Sequence, residues 1–459
     1  MEKNPPVART DIGTFRGVTD DGAAAWLGIP YGRVPQRFAA PVPAPPVDMV
    51  SACERGPAAW QPGPGPRPPI VRFDEQCLSL NVFAPAAAAP DRPVAVWIHG
   101  GGYIGGGSAQ PDFDGAALAT AEDILVVSVN YRLGALGFLD VRGLPDPHPR
   151  AERHAPVSNA GLRDILLALS WVRDHISGFG GDPGRVTIFG QSAGAHAVCA
   201  LASTPQARGL FARAIAQSPP PVAITPDDAR RVAEVTLREA GASSVVELGA
   251  VPPDRLIAAS LLAYAQIADR SPGVLGSAPV IDGDLLEGEP LAVLASGRGL
   301  AVPLLIGSNR DEMTAFGEDR LIRSDERALA HLGRPAVPPE LVGDRPGRDE
   351  ATERWFRLPA LAAASGHAGR ASAWAYEFAY VPSGFGPVHR GGAGATHGIE
   401  AGFIFGNTDR GMWNWLAPGG PSVGDLAMLS RMRHAWGAFI RDGDPGWEEI
   451  RAGGVHALG

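Results

Sequence analysis

The pentapeptide Gly190-Gln191-Ser192-Ala193-Gly194 sets a serine between two glycines. The residues before it, Val186-Thr187-Ile188-Phe189, are β-branched or apolar and read as a buried strand. The residues after it, Ala195 to Ala202, are small and tolerate a helix. A strand, a sharp turn and a helix with Ser192 at the apex is the context of a nucleophile elbow. The glycines let backbone pass close to backbone where a Cβ would clash. A serine hydroxyl is a poor nucleophile at neutral pH, so it needs a general base, and the base needs an orienting partner.

On such a turn the acid and then the histidine follow along the chain. The acid candidate is Glu312, closely following the short strand Pro303-Leu304-Leu305-Ile306-Gly307. The end of a strand is where α/β sheets build their sites. Asp311 is its rival. An adjacent pair does not aim both carboxylates at one imidazole, and the other serves a loop or an N-cap. The histidine candidate is His397, whose small neighbours Gly394, Ala395 and Gly398 suit a loop that swings the ring towards the sheet. His389, in a Gly/Pro loop, is the second choice. His331 sits in a polar stretch, His367 beside an Ala-rich helix, His434 in the terminal helix and His456 at a frayed end.

The run His99-Gly100-Gly101-Gly102-Tyr103 directly follows a strand. Acyl transfer passes through a tetrahedral oxyanion, and each preorganised N–H aimed at that oxygen is worth roughly 3–4 kcal/mol. The expected donors are the backbone amides of Gly101, Gly102 and Ala193. The same stretch matches G-x-G-x-x-G through Gly100, Gly102 and Gly105. The residues that follow do not open a helix, which leaves no pyrophosphate site. Tyr103 is expected at the mouth of the substrate pocket, Phe316 on its acyl side, and Trp413 or Trp415 on its alcohol side.

The alternation of strands and helices along the chain is that of an α/β fold. Strands are expected at 78–83, 94–99, 124–129, 213–217, 303–307 and 371–378, after a hairpin over 7–17. Helices are expected at 161–176, 227–241, 288–296 and 425–441. A Pro- and Gly-rich surface loop spans about 41–69, and a peripheral insertion or loop about 320–352. No repeat divides the 459 residues, which read as a single domain.

The net charge of −9, with no Lys/Arg-rich run, argues against nucleic acid or an anionic membrane surface as partner. The N-terminus carries no apolar signal region, and no long apolar stretch suggests a membrane span, so a cytoplasmic location is expected. Three cysteines without a CxxC make neither a disulfide framework nor a zinc site. No cofactor or metal is expected. Cys199 reads as a small hydrophobe packed behind the elbow. Monomer and dimer both remain open.

Together these pieces resemble the type B carboxylesterase family, the cholinesterase-like branch of the α/β-hydrolases. The resemblance runs from Gly28-Ile29-Pro30-Tyr31 through Glu75-Gln76-Cys77-Leu78 to the glycine run. It continues through Asn130-Tyr131-Arg132-Leu133-Gly134, Asn159-Ala160-Gly161-Leu162-Arg163-Asp164 and the elbow to Asp311-Glu312 and His397-Gly398. It implies a central, mostly parallel twisted sheet with helices on both faces and peripheral insertions. It implies Ser192 as nucleophile, Glu312 rather than Asp311 as acid, and His397 as base. Gly101, Gly102 and Ala193 become the oxyanion hole. The implied reaction is hydrolysis of a carboxylic ester through an acyl-enzyme.

The sequence also departs from that pattern. Ala58 and Ala59 stand where a disulfide partner for Cys77 should fall, and Cys53 lies too early, so no bridge is expected. Gln191 replaces a frequent glutamate, which removes a negative charge beside the serine and weakens the case for a cationic substrate. Met313 replaces a glycine and Ala197 a serine. The shorter C-terminal part suggests a more open rim. A short-chain or aryl, uncharged ester is the expected substrate. The alternatives are carbamates, lactones or amides on the same machinery, or a binding-only relative that should have lost one of the three residues.

Overall fold

The computed structural model describes residues 5–20, 22–63, 72–146, 154–317, 322–342 and 349–459. Among them, ten strands pair into one sheet. They are β1 (Val18–Asp20), β2 (Ala23–Pro30), β3 (Ser79–Pro85), β4 (Arg92–Ile98) and β5 (Leu125–Val129). Then come β6 (Gly181–Gln191), β7 (Arg213–Gln217), β8 (Leu304–Asn309), β9 (Ala373–Phe378) and β10 (Val455–Leu458). Their spatial order is β10-β9-β8-β7-β6-β4-β5-β3-β2-β1. From β5 to β10 every pairing is parallel, and β3, β2 and β1 continue the sheet antiparallel.

The pleat sorts side chains onto two cores. Val94, Val96 and Ile98 of β4 join one apolar cluster, and Ala95 and Trp97 join the other. Period-two alternation with both faces covered accounts for the uninterrupted burial of the central strands. On the first face lie α1 (Ala160–His175) and α2 (Ala193–Ser203). Leu162, Ile165, Leu169 and Val172 form the buried stripe of α1. The same cluster takes in α3 (Pro226–Glu239), α4 (Pro253–Arg270), α5 (Pro290–Ala295) and α6 (Leu358–His367). On the second face lie α7 (Glu400–Phe405) and α8 (Val423–Asp442). A capping box of Ser422 and Asp425 starts α8, and Gly443 ends it in the left-handed conformation. Met428, Met432, Ala435, Trp436 and Phe439 are buried, as its pattern predicts.

Arg132 and Asp164 form a buried ion pair beneath this frame. The guanidinium donates from Nε at 2.8 Å and from Nη2 at 2.7 Å to the carboxylate, and the Arg132 amide adds a third bond at 3.0 Å. All three cysteines are free, with Cys77 and Cys199 buried.

Two readings of the sequence need correction, those of 41–69 and of His456. The stretch 41–69 is not all surface loop. Val42–Pro43 pairs with Gly32–Arg33, Met49–Ser51 adds parallel to Gly13–Arg16, and Ala58 and Ala59 are buried; residues 64–69 lie outside the described residues. The described part of 320–352 holds short helices at Glu326–Leu332, Pro339–Val342 and Glu350–Thr352. His456 is not at a frayed end but sits in β10, its ring stacked on Trp447 with centroids 4.4 Å apart. The long helix α4 went unexpected.

Candidate active site

Ser192 joins β6 to α2 at φ 59° and ψ −124°, a backbone conformation that a side chain rarely adopts. Its surroundings over-determine it. The Ser192 amide donates to the Gln217 carbonyl on β7 at 2.8 Å, and the His196 amide donates to the Ser192 carbonyl at 2.9 Å. A Cβ on Gly190 would lie 2.6 Å from the Gly194 carbonyl carbon, and one on Gly194 would run into the Ile98 and His99 carbonyls. Both glycines are therefore steric requirements of the turn.

Glu312 follows β8 and is fully buried. Its Oε1 accepts the Asn309 amide at 2.7 Å, and its Oε2 meets Nδ1 of His397 at 2.5 Å. Asp311 turns the other way. Its Oδ2 accepts the Ala395 amide at 2.8 Å and pairs with Arg310 at 3.0 Å. One carboxylate thus meets the imidazole while its neighbour holds the loop that carries it.

The other ring nitrogen, Nε2, meets the Gln191 side-chain amide at 3.1 Å. The rings of Phe316 and Phe356 flank the imidazole, with centroids 5.0 and 4.9 Å away. Beneath it, Asn309 Nδ2 donates to the Thr396 carbonyl at 2.7 Å and to Glu400 at 2.6 Å. Glu400 is fully buried on the first turn of α7. Burial, and next the charge of Glu312, push its carboxyl above the usual glutamate range. Glu400, Phe356 and the Gln191 contact escaped the sequence reading. Only the spacing of Glu400, three residues after His397, signalled that it could share a helical turn with the site.

The glycine run after β4 supplies main chain to the same place. Gly101 and Gly102 have φ of 115° and 61°. A Cβ on Gly100 would lie 2.6 Å from the Gln191 carbonyl, so the loop packs directly on the elbow. Gly101, Gly102, Ser192, Ala193 and His397 all line one cavity of about 530 Å³, with Phe316 and Phe356 in its wall. Among the described residues no Asp, Glu, Lys or Arg side chain lines it. No group of three or more metal-ligating side chains occurs among the described residues either.

Two expected pocket residues are elsewhere. Tyr103 is fully buried behind the glycine loop, its φ of 59° turning the ring away from the cavity. Trp413 is buried in the second core, where its Nε1 donates to the Gly402 carbonyl at 3.0 Å; its neighbour Met412 reaches the cavity instead. The side chains of Trp415 and His389 lie outside the described structure.

Comparison with known proteins places relatives around this geometry. The Carboxylesterase family matches residues 4–331. The para-nitrobenzyl esterase of Bacillus subtilis (strain 168) is 34% identical over 473 residues, covering 98% of this chain and 92% of its own. The phenmedipham hydrolase of Pseudarthrobacter oxydans is 32% identical over 480 residues, covering 97% and 92%. The solved structure of a thermophilic pNB esterase superposes with a TM-score of 0.83 at 34% identity, over 97% of this chain and 92% of that one.

Proposed function

Since the chain belongs to the carboxylesterase family, with the α/β-hydrolase fold and the activity of a carboxylic ester hydrolase, we propose that it works through Ser192, His397 and Glu312 and an acyl-enzyme. The observation that carries this reading is the junction at His397. One ring nitrogen is held by buried Glu312, and the other points to the residue next to Ser192, at the floor of an apolar cavity.

In the forward step His397 Nε2 takes the Ser192 proton as Oγ attacks the ester carbonyl. The amides of Gly101, Gly102 and Ala193 receive the developing oxyanion. The imidazolium then protonates the leaving alcohol, and the acyl group stays on Oγ. Water, deprotonated by the same nitrogen, attacks the acyl-enzyme and releases the acid. Glu312 holds the ring in the tautomer that leaves Nε2 able to accept. An uncharged ester suits a wall whose described residues carry no Asp, Glu, Lys or Arg side chain, and flanking phenylalanines favour a short-chain or aryl group.

The test is labelling with a fluorophosphonate followed by peptide mass analysis. The adduct is expected on Ser192, and Ser192→Ala should remain folded with activity lowered on the order of 10⁵-fold or more. An adduct elsewhere, or a variant of near-normal rate, overturns the reading. A panel of ester, carbamate, lactone and amide substrates fixes the bond cleaved.

A further inference from the structure

The oxyanion hole proposed above takes its donors from two separate segments. Gly101 and Gly102 belong to the loop after β4, and Ala193 is the first residue of α2. Three amides converge on one oxygen only if that loop and that helix are held in register. Ser277 Oγ donates to the Gly102 carbonyl at 2.8 Å, and the Gly134 amide donates to the Tyr103 carbonyl at 2.7 Å. Neither bond reaches α2. One side-chain bond does so directly: the hydroxyl of Tyr103 lies 2.7 Å from Nδ1 of His196.

We propose that Tyr103, His196 and Glu289 are positioning residues that lock the oxyanion loop to the nucleophile helix, resting on the oxyanion-hole reading above. Tyr103 follows Gly102 in the chain, and His196 stands four residues after Ser192, so the link spans the two halves of the hole at its back. Both side chains are fully buried. A phenylalanine would fill the space against Phe138, whose ring centroid is 4.6 Å away, so packing alone does not call for the hydroxyl. A buried hydroxyl facing a buried imidazole is retained at a desolvation cost that only their mutual bond offsets.

Glu289 completes the set. Its Oε1 lies 3.4 Å from His196 Nε2, without the angle of a hydrogen bond. The same carboxylate caps α5 by accepting the Leu291 amide at 3.3 Å, and it accepts the Ala223 amide at 2.8 Å. With a carboxylate at Nε2 the ring proton belongs there, and Nδ1 accepts from the Tyr103 hydroxyl. Burial raises the Tyr103 hydroxyl well above its usual range, so it keeps its proton and the bond keeps its direction. Tyr103 also holds its left-handed φ of 59° between these anchors, as a residue does when its surroundings fix it.

The experiment uses Tyr103→Phe and Glu289→Gln in the full chain. It measures kcat and KM on a p-nitrophenyl ester, and inhibition by a trifluoromethyl ketone. The ketone forms a tetrahedral adduct whose oxyanion occupies the hole. Tyr103→Phe should lower kcat about tenfold with KM within twofold, and weaken the ketone by a similar factor. Glu289→Gln should give a smaller loss of the same kind. A Tyr103→Phe enzyme with unchanged kcat and unchanged ketone affinity overturns the proposal. Should that variant not fold, an unchanged Glu289→Gln enzyme does so. Fluorophosphonate labelling of Ser192 separates the outcomes. If wild type is unlabelled the parent reading fails, and if it labels while the variants behave as wild type only the positioning role fails.

Discussion

The side-chain amide of Gln191 meets Nε2 of His397 at 3.1 Å, on the nitrogen that receives the Ser192 proton in the mechanism proposed above. An amide can offer N–H to the neutral ring or, turned over, its carbonyl to the protonated one. A carboxylate can serve only the protonated ring. Among the described residues, the acids facing this imidazole are Glu312, bonded to Nδ1, and buried Glu400. Gln191→Glu is therefore expected to favour the imidazolium and to move the acid limb of the kcat/KM profile up by about one pH unit. Rates measured across the neutral range check this, and an unmoved limb contradicts it.

The adjacent acids divide their work, and substitution should expose the division. Glu312→Gln removes the charge beside Nδ1 and is expected to lower kcat by about 10³-fold or more. Asp311→Asn keeps an acceptor for the Ala395 amide and should cost less than about tenfold. Steady-state kinetics on one ester decides, and the reverse ranking would reassign the acid.

The Arg132–Asp164 pair lies away from the cavity lining, so its loss reads on stability. Asp164→Ala strands a guanidinium that is 3% exposed, which should cost about 3–5 kcal/mol. A urea midpoint lowered at constant slope is the expected signature. A midpoint within experimental error of wild type would show that the pair contributes nothing.

Burial lowers the His99 imidazole from 6.5 to about 4, against a weaker opposing bond to the Gly100 carbonyl. The unfolded chain protonates this group first on acidification. Between those two values it binds more protons than the folded state, so stability falls as the pH drops from about 6.5 to about 4. The loss from this group is on the order of 3 kcal/mol. His99→Asn should flatten that part of the profile in urea unfolding at several pH values. An equally steep fall in the variant would assign it to other groups.

What is legible in the sequence follows from how local each requirement is. The elbow demands glycine on both sides of Ser192 and a strand before it, all within a few residues, and the pattern shows there. Helix α8 is legible because Met428, Met432, Trp436 and Phe439 repeat with its turn. Tyr103 and Trp413 mislead because a sequence does not tell which side of the backbone an aromatic leaves. Tyr103 has a left-handed φ of 59°, and its ring packs against Phe138 with its hydroxyl on His196. The Gln191 contact spans 206 residues of chain, so the substitution is visible and its partner is not. Strand β10 is four residues long, too short for a period to declare itself, and forms because β9 offers it an edge.

The thiols of Cys77 and Cys199 are buried in the core beneath the sheet, while Cys53 is partly exposed. That makes the chain its own clock for breathing. A maleimide added to the native protein meets Cys53 alone, and any slower uptake at the other two reports how often the interior opens, with no engineered probe to disturb it.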